Sequence, residues 1–252
     1  MGGSVVAKPS AVAEHPAIAR VLDNRLLAAL PDDCFALLEP DLKEVVLGQG
    51  VVCYEPGDPI EQIYFPQTGM ISLLVTAGNG ETVEVASIGR EGAAGLQSGL
   101  GGRSSFTRAI VQIGGRFSVI SAGRFEQAVS RSAALRGLVQ RYTETLLAEA
   151  QQNAACNAIH DGSSRLCRWL LQCADDIDSE QVPLTQEFLA DMLGVRRTTV
   201  TLLAQELQNK GILRYSRGRI TILDRRMLED CACECYEAIK HENLSRRIGV
   251  KI

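Results

Sequence analysis

Between Ala133 and His160 the chain has no proline and only one glycine, Gly137. Few segments this long lack a helix breaker, and this one reads as a single helix near 28 residues in length. Its apolar residues follow a 3–4 spacing through Leu135, Leu138, Val139, Tyr142 and Leu146, then Ala150 and Asn153 or Ala154. One narrow stripe on a long helix suits a partner helix, which predicts a dimer seam of Leu135, Leu138, Val139, Tyr142 and Leu146. The other reading is that the stripe packs on the β region of its own chain.

The texture differs on the two sides of that helix. From Val45 to about Ile120, short apolar runs alternate with turn residues: Val51–Tyr54, Gln62–Phe65, Met70–Thr76, Thr82–Ile88, Ala109–Ile113 and Phe117–Ile120. Glu55-Pro56-Gly57-Asp58, Gly78-Asn79-Gly80 and Gly114-Gly115 separate them, which reads as a β sandwich or barrel. Residues 1–44 read as helical from Ile18, Val21, Leu22, Leu26, Leu27 and Leu30. On the far side, Asp161-Gly162-Ser163-Ser164 breaks the long helix and offers caps to a next one over Arg165–Ala174, with Trp169 in its core. Asp175–Gln181 reads as an acidic loop.

The 252 residues allow one large domain or two ordinary ones, and 46% hydrophobic with 22% charged residues is a globular composition. No apolar run reaches the ~18 residues of a membrane helix. Met1 to Ala19 lacks a signal pattern, and Val6 stands where myristoylation after Gly2 wants Ser or Thr. A cytoplasmic protein with no membrane partner is expected. Eight cysteines in such a chain are not a disulfide scaffold. The net charge of −4 argues against general nucleic-acid binding, but its distribution is uneven. Val195 to Arg219 holds Arg196, Arg197, Lys210, Arg214, Arg217 and Arg219 against Glu206 alone, a local excess of +5 on a remainder of −9. That is the mark of a local anion-binding face.

The basic stretch coincides with the most specific pattern in the chain. Thr185 can cap a helix carrying Phe188 and Leu189 inward. Ala190 is small where two helices would cross, and Gly194 follows four residues later, where a turn needs positive φ. Leu193 and Val195 flank it, and Val200 and Leu203 repeat at helical spacing. Leu189, Ala190, Leu193, Gly194, Val195, Val200 and Leu203, seven matches at fixed offsets, make a helix–turn–helix. Its second helix opens with Arg196, Arg197, Thr198 and Thr199 and continues with Thr201, none of which suits a core. All suit a helix end in the major groove, where an arginine fork reads guanine and a threonine methyl touches thymine. Gly211–Tyr215 and Arg219–Leu223 then alternate as two strands around Ser216-Arg217-Gly218, a wing with Arg217 and Arg219 near the DNA backbone.

With these residues in place, the sequence resembles the CRP/FNR family of bacterial transcription regulators over roughly residues 20–225. The resemblance implies an α+β chain: an N-terminal cyclic-nucleotide-binding-like β roll with helical flanks, a long dimerisation helix and a C-terminal winged helix–turn–helix. The expected boundaries are 1–132 for the sensor domain, 133–160 for the dimerisation helix, and 161–252 for the DNA-binding domain with a helical tail. By the same resemblance Arg197 matches the guanine-reading arginine. Thr198 stands where Glu is frequent, and Leu202 where Arg or Ser is frequent, so the operator should differ from that of the cAMP receptor.

In cAMP-binding members a Gly-Glu pair and an Arg-Ser pair hold the ribose and phosphate. Here Gly89-Arg90-Glu91-Gly92 precedes Leu96–Leu100 and Arg103-Ser104 follows, giving Glu91, Arg103 and Ser104 as ligand-binding candidates. Arg90 interrupts the Gly-Glu pair, Glu91 and Arg103 are twelve apart, and Ala150 and Gln151 replace the adenine-reading Thr-Ser. cAMP binding is therefore not expected. Another small ligand, or a roll without one, stays open, and no cofactor is assigned.

Only Cys34 precedes the β region, so the closely spaced N-terminal cysteines of iron–sulfur members are missing. Cys231, Cys233 and Cys235 read as small buried hydrophobes, Cys231 and Cys235 sharing one face of a helix with Cys233 pointing elsewhere. A thiol or metal sensor is the other reading, and no metal ligands are assigned. Cys156 and His160 stand i, i+4 without an acid partner, so no catalytic residues and no enzyme are expected. The expected function is sequence-specific DNA binding by a homodimer on an inverted repeat of double-stranded DNA, with RNA polymerase a partner if it activates. The alternative is a ligand- or redox-sensing module, working through Glu91 and Arg103 or the C-terminal cysteines, with secondary DNA affinity.

Overall fold

The structure, a computed structural model, describes residues 23–240 apart from Asn79, Arg103 and Arg217. It falls into two compact units, one drawn from Met1–Ile71 and Ile88–Gln140, the other from Ser72–Ser87 and Arg141–Ile252. The fold class is the expected one, antiparallel sheets followed by a helical C-terminal half.

The first unit opens with two one-turn helices, α1 (Arg25–Ala28) and α2 (Asp32–Phe35). Asn24 is fully buried and caps α1 by accepting from the Leu27 N–H at 2.9 Å. Its amide donates to the carbonyls of Pro66 and Gly92, both at 2.9 Å, and its own N–H reaches Gln67. The N-terminal part read as helical ends earlier than expected, because Lys43–Leu47 forms strand β1. The residues Lys-Glu-Val-Val-Leu show no clean alternation, and what makes them a strand is pairing with β7 (Gly115–Ser121), from Lys43 opposite Val119 to Leu47 opposite Gly115. β3 (Gln62–Pro66) pairs along the other edge of β7. β2 (Val52–Tyr54) pairs with β6 (Arg108–Ile113) through an irregularity between Val52 and Tyr54. Helix α3 (Ala122–Arg131), capped by Ser121, lays Phe125 edge-on to Phe65 with ring centroids 6.3 Å apart. Phe65, Phe117, Phe125, Ile63 and Ile120 form the centre of this core.

Helix α4 (Ala133–Ile159) has 27 residues and is ~40 Å long. Leu135, Val139 and Tyr142 of the apolar stripe are buried within the chain, whereas Leu138 and Leu146 are half-buried. The next residue round, Leu147, is 59% exposed.

The second unit takes its hairpin from β4 (Met70–Thr76) and β5 (Thr82–Ile88), closed by Ala77 N–H to the Glu81 carbonyl and Thr76 Oγ1 to Thr82 Oγ1. Asp161 breaks α4 and caps α5 (Gly162–Ile177), accepting from the N–H groups of Ser163 and Ser164. Those bonds, the Ser164 backbone N–H foremost, hold the Asp161 carboxyl below its usual range. α5 runs three residues into the expected acidic loop and ends with Asp178 at φ 55°. The rest of that stretch supplies a two-residue strand, β8 (Gln181–Val182). Asp175 ends up paired with Arg225 and hydrogen-bonded by Tyr236 at 2.8 Å.

Trp169 is the core residue of α5, and its indole donates to Glu84 Oε1 on β5 at 2.7 Å. Burial raises the Glu84 carboxyl to about 7, with hydrogen bonds from Ser72 and Trp169 opposing, Glu149 adding and Arg168 opposing. Glu149 of α4 accepts from the Ser87 N–H and from Gln172. Hairpin, α4 and α5 are thus joined inside one unit by a buried polar network.

Candidate nucleic-acid interface

Helix α6 (Gln186–Leu193) starts where Thr185 accepts from the Phe188 N–H and stops at Gly194, whose φ of 61° lets the Val195 N–H return to the Ala190 carbonyl. Arg165 of α5 donates to the Leu193 carbonyl, fixing that end of the helix. Leu189, Ala190, Leu193 and Val200 are buried; Phe188, Val195 and Leu203 are half-buried. The second helix, α7 (Arg197–Asn209), begins one residue later than the sequence suggests, because Arg196 is its extended N-cap residue at φ −70°, ψ 146°. Val200, Ala204 and Leu207 face the core at 3–4 spacing.

The opposite face of α7 carries the residues expected to contact DNA. Arg196, Arg197 and Thr198 are exposed; Thr199 and Thr201 are half-exposed. Thr201 Oγ1 donates to the Arg197 carbonyl at 3.1 Å. Leu202 is 67% exposed, so the apolar residue expected at a base-reading position does lie on the open face. Thr185 is the N-cap of α6 with its hydroxyl engaged there.

Strands β9 (Leu213–Ser216) and β10 (Arg219–Ile222) form the wing, with Arg219 opposite Ser216 and Ile222 opposite Leu213. β8 extends it to a three-stranded sheet in the order β8-β10-β9. That third strand escaped the sequence reading, since two residues carry no periodicity. Arg219 is exposed, with its guanidinium 3.4 Å from Gln181 Oε1. Arg217 lies outside the described residues.

The candidate ligand residues do not form one visible set. Glu91 is buried and accepts from the Gly89 N–H at 2.9 Å, while Ser104 is exposed. Arg103 lies outside the described residues. Arg25 N–H bonds the Arg90 carbonyl and Asn24 bonds that of Gly92, so the turn preceding the Leu96–Leu100 3-10 helix is held from the α1 side.

The cysteines differ most from expectation. Helix α8 (Arg225–Cys231) stops at Ala232, and a new helical stretch starts at residue 235. The single helix assumed for Cys231, Cys233 and Cys235 does not exist. Cys233 and Cys235 meet Cys156 and His160, while Cys231 stays apart.

A winged helix–turn–helix with one open, basic helix face defines a DNA-binding transcription regulator. Residues 164–231 match the Crp-like helix-turn-helix domain. The chain is 28% identical over 177 residues to the global nitrogen regulator of Nostoc sp. (strain PCC 7120 / SAG 25.82 / UTEX 2576), covering 66% of this chain and 79% of that protein. It is 28% identical over 193 residues to the global nitrogen regulator of Synechococcus elongatus (strain ATCC 33912 / PCC 7942 / FACHB-805), covering 70% and 83%. Among solved structures, FixK2 from Bradyrhizobium japonicum superimposes with a TM-score of 0.66 at 19% identity, over 76% of this chain and 98% of that one. A crp/fnr-family transcriptional regulator from Eubacterium rectale ATCC 33656 gives 0.63 at 18% identity, over 83% and 98%. The chain thus carries a Crp-like helix-turn-helix domain, its fold is that of crp/fnr-family regulators, and the relatives it matches are transcription regulators.

Proposed function

We propose that the protein is a homodimer that binds an inverted-repeat operator through α7 and its wing, working in the cytoplasm on the chromosome. The observation that carries this reading is the α7 N-terminus: Arg196, Arg197 and Thr198 lie exposed on a helix whose other face is anchored in the core. Arg197 forks onto one guanine per half-site, and Thr198, Thr199 and Thr201 contact neighbouring bases or phosphates. Arg219 on the wing contacts phosphate. Two-fold symmetry sets the half-site centres ~10–11 bp apart, one helical turn of ~34 Å. Leu138 and Leu146, half-buried on α4, supply the dimer contact. If the protein activates, RNA polymerase is a further partner. Glu91, Arg103 and Ser104 remain the candidates for an effector.

The test is a competition titration over guanine-substituted half-sites at several salt concentrations. A bidentate Arg–guanine contact is worth ~1–3 kcal/mol and a dimer holds two, so Arg197→Ala should weaken specific binding by ~2–6 kcal/mol and relax preference at that base. Arg219→Ala should weaken all sequences alike and lower the salt slope by ~1 per lost contact. Full guanine discrimination by Arg197→Ala would move the base-reading role, most directly to Arg196.

A further inference from the structure

Cys156 and His160 stand one turn apart at the C-terminal end of α4. Behind the wing, α8 ends at Cys231 and Ala232 is extended at φ −76°, ψ 153°. That break swings Cys233 and the first turn of the next helical stretch, with Cys235, onto the end of α4. The Cys156 and Cys233 sulfurs are 3.6 Å apart, and the Cys235 sulfur is 3.6 Å from His160 Nδ1. The four ligand atoms all lie within 4.8 Å of one another. A tetrahedral zinc ion with Zn–S ~2.3 Å and Zn–N ~2.0 Å sets its sulfur and nitrogen ligand atoms ~3.5–3.8 Å apart. Both of the short separations fall in that range.

The surroundings fit the same chemistry. Cys156, Cys233 and Cys235 are buried and make a small cluster of their own. Glu234 Oε1 lies 3.1 Å from His160 Nε2. A carboxylate there accepts a hydrogen bond from Nε2–H, holds the proton on Nε2 and leaves the Nδ1 lone pair facing the sulfurs, the arrangement that orients a metal-bound histidine. Gln152 donates its amide N–H to the Cys235 sulfur at 3.0 Å, the kind of bond a thiolate accepts. Every one of these residues belongs to the second unit.

We propose that Cys156, His160, Cys233 and Cys235 form a tetrahedral site for one thiophilic divalent cation of the zinc class. Four protein ligands complete the tetrahedron and leave no position for substrate, so the ion is a structural clamp and not a catalyst. It joins the last turn of α4 to the segment behind the wing. Ligand atoms this close surround a single ion and leave no room for an iron–sulfur cluster. Binding converts the three thiols to thiolates, and up to three protons leave for solvent.

The experiment uses the full chain, purified with reductant and stripped with a chelator, then titrated with Co²⁺. Saturation at one equivalent is expected, with a thiolate-to-cobalt charge-transfer band and tetrahedral d–d bands, and Zn²⁺ should bleach both. Proton release on Zn²⁺ addition should accompany uptake. Glu234→Gln, which leaves all four ligands in place, should weaken binding by ~10–100-fold. Cys233→Ser should remove the tetrahedral spectrum, while Cys231→Ser should keep it. If Cys233→Ser fails to fold by circular dichroism, the wild-type spectrum and the Cys231→Ser and Glu234→Gln pair carry the test. A folded wild type with no cobalt spectrum, or an octahedral one, would overturn the site. So would equal loss in Cys231→Ser, iron with acid-labile sulfide in the purified protein, or a Cys156–Cys233 disulfide whose reduction restores no metal uptake.

Discussion

Glu84 is a carboxyl group in a place that discourages its charge. Its carboxyl is fully enclosed and accepts from the Trp169 indole at 2.7 Å, with the Ser72 hydroxyl also bonded to it. In the folded chain it keeps its proton to about pH 7, against 4.5 for the ordinary group. Between those values the folded state binds one proton more than the unfolded state. The stability this group contributes is therefore complete below pH 4.5 and lost as pH rises towards 7, a fall of about 3 kcal/mol. Glu84→Gln should remove that slope and be the more stable protein at pH 8, with the advantage vanishing near pH 5. Urea unfolding followed by the fluorescence of Trp169, the sole tryptophan, measures it directly. A slope unchanged by the substitution would place the proton elsewhere. Leu202 makes a different kind of claim. An apolar side chain 67% exposed on the open face of α7 suits a thymine methyl group. Replacing thymine by uracil at one half-site position should cost the wild type up to ~1 kcal/mol, about one methyl group's burial, and Leu202→Ala nothing. Equal affinity for both bases at every position would sink the idea.

At the level of elements, some of the chain could be read before its structure and some could not. α6 and α7 were legible because each boundary is written in local chemistry: Thr185 caps, Gly194 takes the left-handed turn, and Val200 and Leu203 hold the period. The exposed arginines follow from the same period. β1 and β8 were not legible, because their residues become strands only through pairing with β7 and β10. The cysteine cluster was half legible: Cys156 with His160 is a visible pair, and so is the cysteine-rich stretch from 231 to 235. What joins them is a helix break at Ala232 and a separation of 77 residues between Cys156 and Cys233, neither of which spacing encodes. α4 shows the limit of a stripe. Leu135, Val139 and Tyr142 are buried in their own chain, so a dimer contact must use the flank that stays open. Replacing both Leu138 and Leu146 with Glu should place like charges across the axis at a cost of several kcal/mol, and sedimentation should report monomer. A double variant that remains dimeric would move the contact, with Leu147 the first alternative.

On the scale of the molecule, the DNA-binding unit is assembled from two separated stretches of chain. Residues 72–87 contribute the β4–β5 hairpin, and with it Glu84 for Trp169 and the Ser87 N–H for Glu149. A fragment beginning at Asp161 retains the whole matched helix-turn-helix region yet loses the hairpin, Glu149, Cys156 and His160. Its Trp169 should emit like a hydrated indole, and it should melt well below the intact protein. Identical emission and melting would show that the hairpin is dispensable. The same layout bears on heredity. A crossover at the start of α5 would join α6 and α7 to a new N-terminal region while leaving part of their own support behind. Recombination could exchange such a reading head freely only between parents whose hairpins already match. Its binding specificity should therefore drift by substitutions on α7 more readily than by wholesale transplantation.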